Sequence, residues 1–378
     1  MPRVNRTELC AEDEVQVFHL INRCVRRTFL CGVNPDTGKD YSHRKQWIRD
    51  RLEELAGIFG LDVMAFAVMS NHLHVVVRTR PDVVKGWSDD EVAQRWWNLF
   101  PQRRKTDGRP ETASEFELNQ IRNDVDGLKE KRKRLSSISW FMRCLAEPIA
   151  RRGNKDDEVT GHFWEGRFKA QVLADEAALA ACMAYVDLNP VRARIAKTPE
   201  KSDFTSVQER ICDRQVAEEH WAPSSGRRPP SPPQAGEKGP TGDINAYDRQ
   251  CEHGERAGWL APIALQPPRK RVRDKQTGRR ADNKGCLPMT LDDYLRLLDW
   301  TGRQFRRLQP GRIPADCDEI LRRLDCSGDV WFDIVKNFRK RFRGSLLKSN
   351  RAFESQQNLQ TARSPSQAIR CVTDVRAV

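Results

Sequence analysis

Residues 63–77 read VMAFAVMSNHLHVVV, and this stretch sets the frame for the rest of the chain. Residues 63–69 form an unbroken apolar run, which predicts a central strand covered on both faces. Ser70 and Asn71 mark a turn, and a second strand begins by Leu73. So short a link between two strands implies an antiparallel pair.

Working outward, residues 15–23 (VQVFHLINR) predict a further strand. Ile48, Leu52, Leu55 and Phe59 recur at helical spacing and predict an amphipathic helix ending near Gly60. Residues 81–134 are polar and irregular, with a helix over 88–100 and a charged, solvated helix over 120–134. Ser136 or Ser137 is placed to cap a helix carrying Ile138, Phe141, Met142, Leu145 and Ile149. Residues 163–173 read as a strand. Asp175 then caps a small-residue helix over 176–188 that stops before Pro190. The fold class expected is α+β, an antiparallel sheet with packed helices.

The chain has 378 residues, 38% of them hydrophobic and 31% charged, and a net charge of +13. Such a surplus favours a polyanionic partner. No apolar run approaches the ~20 residues that cross a bilayer, so no membrane span is expected. The first residues show no signal-peptide pattern. Eleven irregularly spaced cysteines argue against a disulfide framework and against a cysteine zinc site. Cytoplasmic localisation follows as the expectation.

Residues 222–243 hold six prolines and four glycines, which predicts a linker. The division expected is a core domain over 10–215 with an insertion at about 81–134, a linker over 222–245, a basic helical module over 246–350 and a disordered tail over 351–378. A module on such a tether is expected to modulate DNA affinity and to be dispensable for chemistry. Residues 269–280, with seven basic side chains against one acidic, and residues 336–343 (KNFRKRFR) are its candidate DNA-binding elements.

His72 and His74 stand two apart on a strand and therefore share a face. They suit a shared metal ion, or equally a pair of half-buried histidines with hydrogen-bond partners. Both are expected to face a partly open site. Tyr185 and Asn189 lie four apart on a helix and share its face. Of the four tyrosines, Tyr185 alone sits on a core-domain helix beside a ligand type. Tyr185 can equally be a core aromatic, and Asn189 a helix C-cap.

MSNHLHVVV, then GHFWEGRFKAQVL (161–173), then ACMAYVDLNPVRARI (181–195) resemble, in order and spacing, the REP-associated tyrosine transposases, which are single-tyrosine HUH transposases. The resemblance covers roughly residues 10–210 and implies a ferredoxin-like HUH palm. It also implies metal-assisted cleavage and rejoining of single-stranded or hairpin DNA through a 5′-phosphotyrosine. The HUH pair falls on His72 and His74, the nucleophile on Tyr185 and the completing metal ligand on Asn189, with Mg²⁺ or Mn²⁺ as cofactor. Two histidines and an amide suit Mn²⁺ at least as well as oxygen-seeking Mg²⁺. Candidate DNA contacts are Arg23, Arg26, Arg27, Trp164, Arg167, Lys169, Arg192 and Arg194. Tyr185 serves either its own histidine pair or that of a second copy in a homodimer. A nucleic-acid-binding regulator that keeps the fold without the chemistry is the alternative function.

Overall fold

The computed structural model describes residues 13–25, 30–34, 38–106, 108–221, 257–265, 279–305, 321, 324, 327–341 and 346–347. The strand pair β2 (Leu61–Val68) and β3 (His72–Thr79) forms as expected, antiparallel across a tight link. Strand β1 (Val17–Arg23) lies on the other side of β3, and β4 (Lys169–Leu173) lies beyond β1, each antiparallel to its neighbour. A two-residue strand β5 (Leu346–Leu347) adds in parallel to β4, so the order is β2-β3-β1-β4-β5. The long helices α1 (Arg44–Ile58) and α6 (Ile138–Asp156) make the two crossovers. With four antiparallel strands this gives the split βαβ, ferredoxin-like arrangement.

Register assigns the two sheet faces. Val17, His19, Ile21 and Arg23 of β1 lie opposite Arg78, Val76, His74 and His72 of β3, so all eight share one face. The other face carries Phe18, Leu20, Leu73, Val75 and Val77 and packs in one core with Ile48, Leu52 and Leu55 of α1 and Phe141 and Leu145 of α6. The histidine face is covered by α7 (Glu176–Asp187), whose N-cap Asp175 accepts from the Ala178 amide at 2.8 Å. Every residue of α7 after Glu176 is buried. EAALAACMAYVD is apolar on all sides, so the sheet alone cannot satisfy it.

The second cover comes from the far end of the chain. Helices α10 (Leu291–Gln304) and α11 (Gly328–Arg341) lay Leu297, Leu298, Trp331, Val335 and Phe338 into the same core as α7. The Tyr294 hydroxyl donates to Asp187 Oδ2 at 2.7 Å. Asp187 Oδ1 accepts from the Ser206 hydroxyl and the Val207 amide of α9 (Ser206–Trp221). Helices α10 and α11 are thus built into the core rather than held apart. The apolar surface on either side of a linker, not the linker's composition, decides whether the modules dock. The expected linker (222–245) and tail (351–378) lie outside the described residues.

Three local expectations are revised. Strand β2 is buried at all eight residues, yet stands at the sheet edge and not its centre. Its outer edge is closed by other segments: the Val68 amide donates to Phe204 O, the Ala261 amide to Val63 O, and Arg210 to Met64 O. An unbroken apolar strand reports cover on both faces, not the number of strand neighbours. Residues 163–168 are loop, with strand only from Lys169. Gly161 (φ 110°) and Gly166 (φ 155°) take up backbone conformations outside the strand region.

The charged stretch 120–134 is split. It ends α4 (Glu115–Asn123) and forms α5 (Val125–Arg134), because Asp124 turns the chain and caps the second helix through the Gly127 amide. With α2 (Pro81–Lys85) and α3 (Asp89–Leu99), four helices occupy the insertion between β3 and α6. Ser137 occupies the N-cap position of α6 without a side-chain cap bond.

Candidate active site

His72, His74 and Tyr185 meet within one chain, at the junction of β3 with α7. The two imidazoles lie 4.8 Å apart, edge to face. The Tyr185 ring stands edge-on to His74 at 5.6 Å. Strand alternation brings the histidines to one face; the docking of α7 on that face brings the tyrosine. Asn189 opens the short helix α8 (Asn189–Arg192), one turn past Tyr185. Its Nδ2 is buried and has no hydrogen-bond partner among the described residues.

The expectation of two open histidines holds for one of them. His72 is half-buried and its Nδ1 lies 2.6 Å from Asn71 Oδ1. His74 is 2% exposed. Its Nδ1 lies 2.9 Å from Nε2 of His19, whose own Nδ1 lies 3.1 Å from Gln171 Oε1. The His19 and His74 ring centres are 5.0 Å apart with 19° between planes, so the bonded rings lie nearly end to end. Burial lowers the His19 pKa to about 4, partly offset by the Gln171 bond, so the ring is neutral.

Arg192 lies with its guanidinium 4.8 Å from the centre of the Tyr185 ring. Its Nη2 also donates to Lys336 O of α11 at 2.8 Å. Burial lowers its pKa below the ordinary guanidinium value, and the tyrosine opposes that shift. A third aromatic covers the phenol: Phe338 of α11 lies nearly parallel to it. Tyr185 is 6% exposed as a result.

Arg23 and Lys169 lie on the histidine face, opposite His72 and beside Ile21 respectively. Lys169, Arg167 and Arg194 are exposed and Arg23 is half-buried. Trp164 is half-buried, and its indole donates to Ala146 O of α6 at 2.8 Å. Phe168 is a core residue. Arg26 and Arg27 lie outside the described residues, as does most of 269–280. Arg279 of that run pairs with Glu53, and Arg280 is buried on the carbonyls of Gly258 and Leu260. In the 336–343 run, Phe338 is core and not a DNA-facing aromatic.

Sequence reading missed His19, Gln171 and Phe338. For His19 and Gln171 the signal was strand parity, usable only once β1 was known to lie between β3 and β4. For Phe338 it was the all-round apolar character of α7, which requires a second cover.

No cluster of three or more His, Cys, Asp and Glu residues is placed to hold a metal ion among the described residues. A cation here would rest on two imidazoles with oxygen from Asn189 and from a bound phosphate. The unsatisfied amide of Asn189 is compatible with that set, because rotating it by half a turn presents its oxygen instead. Two nitrogen donors suit Mn²⁺ at least as well as Mg²⁺.

None of the described helices is long and apolar enough to cross a membrane. No protein-family model matches the chain, and no curated protein matches it. A solved structure of a REP-associated tyrosine transposase bound to a REP hairpin is similar over 52% of this chain and 79% of that one, at 11% identity and a TM-score of 0.31.

Proposed function

We propose that the chain is a transposase-type endonuclease and strand transferase for single-stranded DNA, acting on hairpin or palindromic substrates. One observation carries the reading: Tyr185 stands edge-on to His74, with the Arg192 guanidinium 4.8 Å from the centre of its ring. The motif resemblance supports it.

A phenol has an ordinary pKa of about 10, so attack needs help in forming the phenolate. The Arg192 cation beside the ring favours the charged form. Tyr185 Oη attacks the scissile phosphorus and its proton passes to solvent. The bond to the 3′ oxygen breaks, and that oxygen takes a proton from water. The products are a 5′-phosphotyrosine and a free 3′-OH. Attack of a 3′-OH on the phosphotyrosine restores the phosphodiester and the phenol, so rejoining needs no nucleotide cofactor. His72, His74 and Asn189 would hold Mn²⁺ or Mg²⁺, which when bound would neutralise charge on the scissile phosphate. Arg23, Arg167, Lys169 and Arg194 offer cations for the DNA backbone.

Burial of Tyr185 beneath Phe338 favours a second reading, a DNA-binding regulator without cleavage. A labelled hairpin oligonucleotide separates the two. Covalent protein–DNA adduct on a denaturing gel, absent from Tyr185→Phe, supports the enzyme. Retarded but unlinked DNA with the wild-type chain supports the regulator.

A further inference from the structure

Both histidines are held through the same ring nitrogen by an amide oxygen, directly or through one more ring. Asn71 Oδ1 is 2.6 Å from His72 Nδ1. An amide oxygen only accepts, so that nitrogen carries the proton and donates. Gln171 Oε1 is 3.1 Å from His19 Nδ1, and the same rule makes His19 Nδ1 a donor. A neutral imidazole has one N–H, so His19 Nε2 must accept. Its partner 2.9 Å away is His74 Nδ1, which therefore donates. The relay runs Gln171, His19, His74, and it ends with the lone pair of His74 on Nε2. The Asn71 contact leaves the lone pair of His72 on Nε2 as well.

We propose that Asn71, His19 and Gln171 are positioning residues for the histidine pair, fixing both rings as Nδ1–H tautomers that offer an Nε2 lone pair to a divalent cation. The inference rests on the metal-assisted reading above. Its warrant is general: ligating imidazoles are oriented by what their second nitrogen bonds. What is particular here is that His74 is oriented by another histidine, itself 1% exposed and bonded to it nearly in plane at 2.9 Å. A structural histidine needs only some partner. A relay ending on a lone pair fixes a direction, because turning the Gln171 amide over would reverse every donor and put a proton on His74 Nε2.

The tautomers are readable without metal. Long-range ¹H–¹⁵N spectra of the histidine-labelled full chain should show pyridine-like Nε2 and protonated Nδ1 for His72 and His74. Mn²⁺ titration followed by electron paramagnetic resonance gives the second readout. His19→Leu should weaken Mn²⁺ binding by roughly tenfold to a hundredfold. His19→Gln, whose amide oxygen can accept from His74 Nδ1, should recover most of it at an unchanged melting temperature. A protonated His74 Nε2 in the wild type overturns the proposal whether or not the leucine variant folds. Mn²⁺ binding that is lost in His74→Ala but unmoved in His19→Leu overturns the proposal and leaves the metal reading standing. Mn²⁺ binding indifferent to His74→Ala sinks the metal reading, and the proposal with it.

Discussion

The Tyr185 ring lies 4.8 Å from the Phe338 ring with 23° between their planes, so a residue from the last described helix roofs the candidate nucleophile. Phe338 also meets His19 edge-on at 5.9 Å. For a scissile phosphate to reach the phenol, α11 has to draw back. Phe338→Ala is therefore expected to speed adduct formation with a hairpin oligonucleotide. It should also lower stability by about 3–5 kcal/mol, as removal of a buried phenylalanine side chain does. Adduct kinetics and thermal melting, run on one preparation, check both; a slower variant would make Phe338 part of the catalytic geometry.

Tyr185→Phe keeps the ring that stacks on Phe338 and loses only the hydroxyl. The cost in stability should be about 1 kcal/mol. Adduct should vanish while gel retardation of the same oligonucleotide is unchanged. Residual adduct would move the nucleophile to another tyrosine.

The two histidine substitutions should part company. His72→Ala removes a half-buried ring and should hardly change melting. His74→Ala leaves His19 Nε2 buried without its bond, at a cost of about 1–3 kcal/mol. Urea unfolding of both variants tests this, and equal midpoints would contradict the buried relay.

Tyr294→Phe should destabilise the chain by about 1–3 kcal/mol, since it strips one of the three donors from the buried Asp187 carboxylate. Truncation before α10 should do far more, exposing the outer side of α7, and should yield insoluble or unfolded protein. A soluble, cooperatively melting 1–221 fragment would restore the picture of a dispensable module.

Acid should loosen the insertion locally. Glu117 is held down to about 2 by the Arg103 guanidinium, then by the Ser114 amide and hydroxyl. Its folded value lies below the unfolded 4.5, so its contribution is complete above 4.5 and is lost as pH falls toward 2. Amide protection in α4, measured against the intrinsic exchange rate at each pH, should fall over that window in the wild type and show no such step in Glu117→Gln.

Local rules carried much of this protein. The β2–β3 pair, the capped helix bearing Tyr185 and the shared face of His72 and His74 follow from periods of two and 3.6 and from one aspartate cap, all interactions within a few residues. Tertiary structure alone decided which groups surround them. His19 reaches His74 across 55 residues because β1 pairs with β3 in the register that sets Ile21 opposite His74. Phe338 reaches Tyr185 because α7 is apolar on its outer side, and the chain after the proline-rich stretch supplies the complementary surface. Parity along a strand is a property of its own residues, whereas the neighbour across the sheet and the cover over a helix depend on the free energy of burying apolar surface from the whole chain.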